Sequence, residues 1–262
     1  MPSKMTSPTP PADHSWAMRL NRWALTLSRH YLKVLLTVIG IFAALPVLAP
    51  VLMKVGATGA SELIYNMYSP LCHQFAYRSL FLFGEQSVYP RDSVQIGEAK
   101  PYESFLPQIM TELGDRQDHS SLAFELNSKI FLGDPQMGWK VAVCQRDMGI
   151  YWALFIGGLI YAIPRVRRVL RPAPIWLYIF LGLGPVGLDG FAQLLSYPPF
   201  ELWPVRETTP LFRFVTGALF GLLTAWMAFP YLEASARETV KEISAKFNRR
   251  KLRERTSAKS KT

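Results

Sequence analysis

The chain has 262 residues, 50% of them hydrophobic and 18% charged, with 29 basic against 19 acidic residues for a net charge of +10. That composition excludes disorder of the whole chain and a collagen-like repeat, and two cysteines exclude a disulfide-dense scaffold. An ordinary soluble domain is also disfavoured, because the apolar residues are gathered into blocks long enough to cross a bilayer.

Residues 1–33 are read as a disordered, basic N-terminal segment, with Pro, Ser and Thr crowding the first fifteen positions. Residues 34–53 then run twenty positions without a charge, enough to span about 30 Å of hydrocarbon at about 1.5 Å per residue. This stretch is longer than the roughly 7–15 apolar residues of a leader peptide, so a retained helix is expected over a cleaved one.

A long polar segment follows over 54–147. Within it, 61–83 is aromatic-rich and broken by Pro70, which suits an interfacial or re-entrant helix pair. Turn signals fill 84–117, with a short helix expected at 103–113, and 120–132 reads as a helix closed by Gly133. Residues 148–164 form a short second span whose first turn starts within Cys144-Gln145-Arg146-Asp147. The third span, 174–195, is interrupted by Gly182, Gly184, Pro185, Gly187 and Asp189, glycines that favour close packing and a bend. The fourth, 211–231, carries Arg213 near its start and Gly217 and Gly221 at GxxxG spacing. Beyond it Leu232, Ala236, Val240, Ile243 and Phe247 recur at helical intervals. This tail is read as an extension of the fourth helix whose basic face rests on anionic headgroups, with a partner helix as the alternative.

The charge sets the orientation. Residues 1–33 hold five basic residues against one acid, the 165–173 loop four arginines, and the tail from Glu233 ten basic residues against four acids. Residues 54–147 hold eight basic and eleven acidic residues, and the short 196–210 loop one basic residue, Arg206. The predicted architecture is an all-α, multi-pass protein of the cell membrane with about four transmembrane helices, both termini cytoplasmic and one large extracytoplasmic loop. Basic residues spent on topology leave no face for nucleic acid. The implied partners are the lipid bilayer and a membrane protein docked through the tail or the outer loop.

Four polar constellations fall toward the outer side: Cys72-His73-Gln74 with Arg78; Cys144 to Tyr151; Asp189-Gly190 with Gln193; and Arg206-Glu207-Thr208 with Arg213 and Thr216. An aspartate in an apolar helix costs about 2.5–3.5 kcal/mol near the bilayer centre, so Asp189 needs a partner, and Arg213 is nearest in chain order. Asp189 is thus either half of a helix-pinning ion pair or a functional acid, base or ligand. His73 is either a hydrogen-bonded structural imidazole or a base or ligand. Cys72 and Cys144 admit a disulfide, free thiols, or a metal such as zinc shared with His73 and Asp189. Adjacent residues on a helix point about 100° apart, so Cys72 and His73 could serve one ion only from irregular backbone, which Pro70 favours.

These motifs, Leu71-Cys72-His73-Gln74 with Arg78-Ser79, Cys144 through Tyr151, Leu188-Asp189-Gly190 with Gln193, and Arg206-Glu207-Thr208 with Arg213, resemble those of a family of uncharacterised prokaryotic membrane proteins, domain of unknown function 2085. The resemblance covers roughly 64–230. It implies a membrane protein with a polar motif cluster and supplies no reaction. The chain departs in its insertion over 85–140, in its basic tail, and in Asp147 where relatives carry another cysteine, which weakens a zinc assignment carried over from the family.

Three functions fit these residues. The first is a membrane enzyme acting on a lipid-linked substrate, with His73 as base, Asp189 as acid or base, and Arg146 and Arg213 binding an anion. The others are a non-catalytic subunit or assembly factor of a membrane complex, and a small-solute transporter, which the few spans and lack of an inverted repeat disfavour.

Overall fold

The computed structural model describes residues 15–94, 96–107, 121–197 and 199–259. Contacts divide the chain into two units, one made of 1–35 with 231–262, the other of 36–230.

Helix α1 (Ser15–Lys54) begins well inside the segment expected to be disordered; 15–33 is helical, and 1–14 lies outside the described residues. Pro46 and Pro50 sit within α1. A proline cannot donate to the carbonyl four residues back, so Pro46 leaves the Phe42 carbonyl without its helical partner. Tyr68 supplies one, its hydroxyl donating to Phe42 O at 2.6 Å. Two turns further on, Ser61 Oγ donates to Ala49 O at 2.8 Å. Both donors belong to α2 (Thr58–Tyr68), so the proline-interrupted stretch of α1 and the first helix after it are stitched together.

The expected helix pair over 61–83 is a single helix. After α2 the chain turns at Pro70, takes a left-handed conformation at Gln74 (φ 58°), makes one 3-10 turn (Ala76–Arg78) and enters strand β1 (Ser79–Leu82). Helix α3 (Ser121–Ile130) lies inside the helix expected at 120–132. At 103–113 a 3-10 turn, Tyr102–Phe105, runs into helical residues at 106–107, and 108–113 lies outside the described residues. Strands β2 (Gly133–Asp134) and β3 (Gly138–Cys144) complete an antiparallel sheet ordered β1-β3-β2, with Ser79 opposite Cys144 and Phe81 opposite Lys140. Most of the chain is helical, and this sheet is the correction to an all-α class. Its strands escape sequence pattern because the run from Lys140 to Val143 is buried on both faces and shows no alternation.

Strand β3 runs directly into α4 (Gln145–Ala162), followed by the short α5 (Pro164–Val169). Helix α6 (Ile175–Leu194) contains a π-helical stretch, Tyr178–Leu183, at the glycine-rich interruption. Helix α7 (Pro210–Lys259) is continuous over fifty residues. Three helices, α1, α6 and α7, are long and apolar enough to cross a membrane. Helix α4, the expected second span, is not among them, because its first turn is spent on Gln145, Arg146 and Asp147.

Helices α4 and α7 meet backbone to backbone. A Cβ on Gly217 would stand 2.1 Å from Arg146 O, one on Gly221 2.3 Å from Ile150 O, and one on Gly149 2.4 Å from Phe214 O. The GxxxG spacing therefore marks the contact that fixes where Arg146 lies. In the other unit, Tyr31 Oη donates to Glu233 Oε2 at 2.6 Å and Arg237 Nε to Glu233 Oε1 at 2.5 Å, so buried Glu233, midway along α7, is shared by α1 and the next turn of α7.

Candidate functional site

The loop at 69–78 is held on the sheet by buried polar groups. Gln74 Nε2 donates to Tyr65 O and Ala142 O, both at 2.8 Å. Lys140, on the central strand and wholly buried, donates from Nζ to Gln74 O (2.8 Å), Lys129 O (2.7 Å) and Ser128 O (3.3 Å). Gln145 Nε2 donates to Ser79 O at 3.0 Å. Burial pushes the Lys140 ammonium down to about 7, Cys72 partly opposing it and Lys129 adding to it. The consequence is positional: the loop bearing Cys72 and His73 is clamped to the strand that ends at Cys144.

At that junction three donors converge. Cys72 Sγ, Cys144 Sγ and a carboxylate oxygen of Asp147 all lie within 4.8 Å of one another. Cys144 Sγ is 3.2 Å from Asp147 Oδ2, and the Cys144 amide donates to Cys72 Sγ at 3.2 Å. Cys144 occupies the position before α4 and Asp147 its first turn, so the spacing of three places both on the side where helical amides are unpaired. Both cysteines are free thiols. Their mutual hydrogen bond, then burial, holds Cys72 well above the ordinary thiol value, while the same hydrogen bond lowers Cys144.

Beside the thiols lies a network of ion pairs. Glu207 accepts from Arg78 and from Arg213, and from Tyr197 Oη at 2.7 Å. Burial alone would raise the Glu207 carboxyl, but Arg78 and Arg213 hold it below the ordinary glutamate value. Asp189 pairs with Arg146, accepts from the Thr208 hydroxyl, and lies 3.5 Å from Gln193 Nε2. The partner expected for Asp189 was Arg213; the structure gives Arg146 instead. Arg213 is taken by Glu207, six residues before it, and its Nε donates to Thr208 O at 3.1 Å. Asp189, Glu207 and Arg213 side chains are only 2%, 3% and 4% exposed, whereas Arg78 and Arg146 each keep 18%.

That residual exposure opens onto two adjoining cavities. A recess of about 180 Å³ is lined by the three converging donors with His73, Arg146 and Gln193. A wider cleft of about 670 Å³ shares His73, Arg78, Arg146 and Gln193 with it and continues to Gly190, Leu194 and Tyr197. The exposed His73 ring packs on Phe75 at 5.4 Å between centroids, and Arg78 sits over Phe75 and Tyr77, 5.2 Å from each ring. The Arg146 Nε is buried without a hydrogen-bond partner.

All the residues singled out from sequence thus fall in one neighbourhood, but in two sets. Cys72, His73 and Cys144 border the recess, Arg146 and Arg213 border it while also tied into the ion pairs, and Asp189 is enclosed within them. Sequence reasoning missed Asp147 as a member of the thiol cluster and Glu207 as the shared acceptor of two arginines. For Asp147 a signal was available, its spacing of three from Cys144 across a helix start.

Residues 136–227 match the model of a family described as a predicted membrane protein, domain of unknown function 2085, the family whose motifs the sequence resembles. The matched segment contains Cys144, Arg146, Asp147, Asp189, Glu207 and Arg213 and leaves Cys72 and His73 outside it. An uncharacterised protein of Methanocaldococcus jannaschii is 24% identical over 209 residues, which cover 78% of this chain and 93% of that protein. No solved structure matches. The family description and the apolar helices agree on a membrane protein.

Proposed function

We propose that this protein is a membrane enzyme that hydrolyses or transfers the anionic headgroup of a lipid-linked substrate at the outer face of the cell membrane. In this reading α4 completes a set of four spans, both termini are cytoplasmic, and 54–147 with 196–210 lies outside. Support for the topology comes from the distribution of basic residues along the chain.

The observation that carries the chemical reading is the cleft in which two partly exposed guanidinium groups, Arg78 and Arg146, stand beside an exposed imidazole, His73. A planar guanidinium matches a pair of oxygens on phosphate or carboxylate, and a low-dielectric wall strengthens the contact. Ring and aliphatic side chains of Phe75, Leu194 and Tyr197 on the same cleft suit the apolar part of a lipid. In the reaction His73 takes a proton from the attacking water as its oxygen bonds to the headgroup, and returns it to the leaving oxygen as the bond to the lipid breaks. Asp189 and Glu207 act one step removed: Asp189 holds Arg146, and Glu207 holds Arg78 and Arg213. Arg213, 4% exposed and held by Glu207, acts as a positioning residue at the edge of the recess.

The test is turnover in vesicles. Purified protein reconstituted with a lipid extract of its own source membranes should deplete one anionic lipid with time, by mass spectrometry, and His73→Ala should stop the loss while leaving the protein folded. Unchanged lipids with the wild-type protein, or equal turnover by His73→Ala, would contradict the proposal.

A further inference from the structure

We infer that Cys72, Cys144 and Asp147 form a three-ligand zinc site whose fourth position opens on the recess beside His73 and Arg146. This goes beyond the headgroup reading and stands on separate observations.

The first is donor chemistry. Two thiolates and a carboxylate make a set suited to zinc, and three protein ligands with one open position is the arrangement of zinc sites that bind water or substrate. The second is geometry. Bonds of about 2.0–2.3 Å in a tetrahedron separate neighbouring donors by about 3.3–3.8 Å. The Cys144 to Asp147 separation of 3.2 Å is already close to that range, and the 4.8 Å limit on the whole group leaves at most about 1–1.5 Å of closure. The backbone needed is present, since the chain at Cys72 is non-helical and Gln74 is left-handed.

The third observation is charge. Asp147 forms no ion pair among the described residues, although Arg146 is its chain neighbour and turns instead to Asp189. Behind the donors the wall is apolar, with Cys72 packed among Tyr68, Val141, Ala142 and Val143, and with Met148 and Tyr151 bordering the same cluster. Three acidic donors against such a wall call for a cation of their own. Zinc binding displaces the two thiol protons to solvent and leaves the site with one net negative charge, which the nearby guanidinium groups offset. Neither His73 nor Asp189 belongs to the ligand set: the imidazole is not part of the converging group, and Asp189 is occupied by Arg146 and Thr208.

Metal content is read without any activity assay, so its outcome is separable from that of the headgroup reading. Protein purified from membranes without a polyhistidine tag should carry one zinc per chain, and X-ray absorption should find two sulfur neighbours around it. Cys72→Ser should lower the content at least tenfold, His73→Ala should leave it unchanged, and Asp147→Cys should keep the zinc and raise the sulfur neighbours to three. The last variant keeps the test decisive if Cys72→Ser fails to insert. A metal-free protein whose intact mass is two daltons low, from a Cys72–Cys144 disulfide, would overturn the assignment. So would zinc with no sulfur neighbour, or zinc that vanishes in His73→Ala.

Discussion

Two neighbouring clusters treat their charges in opposite ways. In one, Asp189 and Glu207 are enclosed and each is met by arginine, with Thr208 and Tyr197 adding hydroxyls. In the other, Asp147 and two thiols converge without an ion pair and border a recess. Enclosed and paired charges fix geometry, and removing one partner leaves the other stranded. Unpaired donors facing a cavity contribute little to folding and are available for a ligand. Proximity to a polar site is therefore a poor guide to role; the count of partners discriminates better.

The comparison can be broken most forcefully at its closed half. Glu207→Ala strands Arg78 and Arg213 and should cost about 3–5 kcal/mol, the usual loss when one member of a buried pair is removed; thermal unfolding in detergent would show it. Next in size is the clamp beneath the open half: Lys140→Met leaves three backbone carbonyls without their donor and should cost about 2–3 kcal/mol, with faster alkylation of Cys72 as the loop loosens. Gly217→Ala should follow at about 1–3 kcal/mol, because the new methyl meets Arg146 O and must push α4 from α7. A cross-link engineered between α4 and α7 would report the separation as a fall in yield.

Acid sharpens the same contrast more gently. The Glu207 carboxyl is held below its ordinary value of 4.5, so its contribution to stability is complete above that pH and is lost as pH falls through the lower, folded value. Unfolding temperature measured from pH 6 downward should fall in that range for the wild type, and Glu207→Gln should flatten the fall. Smallest of all is the effect expected for exposed His73, whose replacement by alanine should change stability by no more than about 0.5 kcal/mol.

Much of this arrangement was legible in the sequence, and the failures have physical causes. Apolar runs and the basic segments between them located α1, α6 and α7, since length and charge are local properties. GxxxG marked the α4–α7 contact, though its consequence for Arg146 required both helices. The sheet was hidden because Ser79–Leu82 is only four residues long, too short for its alternation to register, and β3 is buried on both faces and does not alternate. Asp189 was paired with Arg213 because chain proximity is the only distance a sequence supplies; the intervening loop brings Glu207 to Arg213 first and frees Asp189 for Arg146. Asp147 was passed over as a donor, although its position one helical turn from Cys144 brings its carboxylate to 3.2 Å from the Cys144 sulfur.

The most direct test of the division between enclosed and open groups is complementation of a strain lacking this protein by His73→Ala, scored with membrane insertion and unfolding temperature of the same variant. The account predicts an unaltered insertion level and unfolding temperature with complete loss of complementation. Full complementation by a correctly inserted His73→Ala protein would contradict it and would return the polar site to a purely structural role.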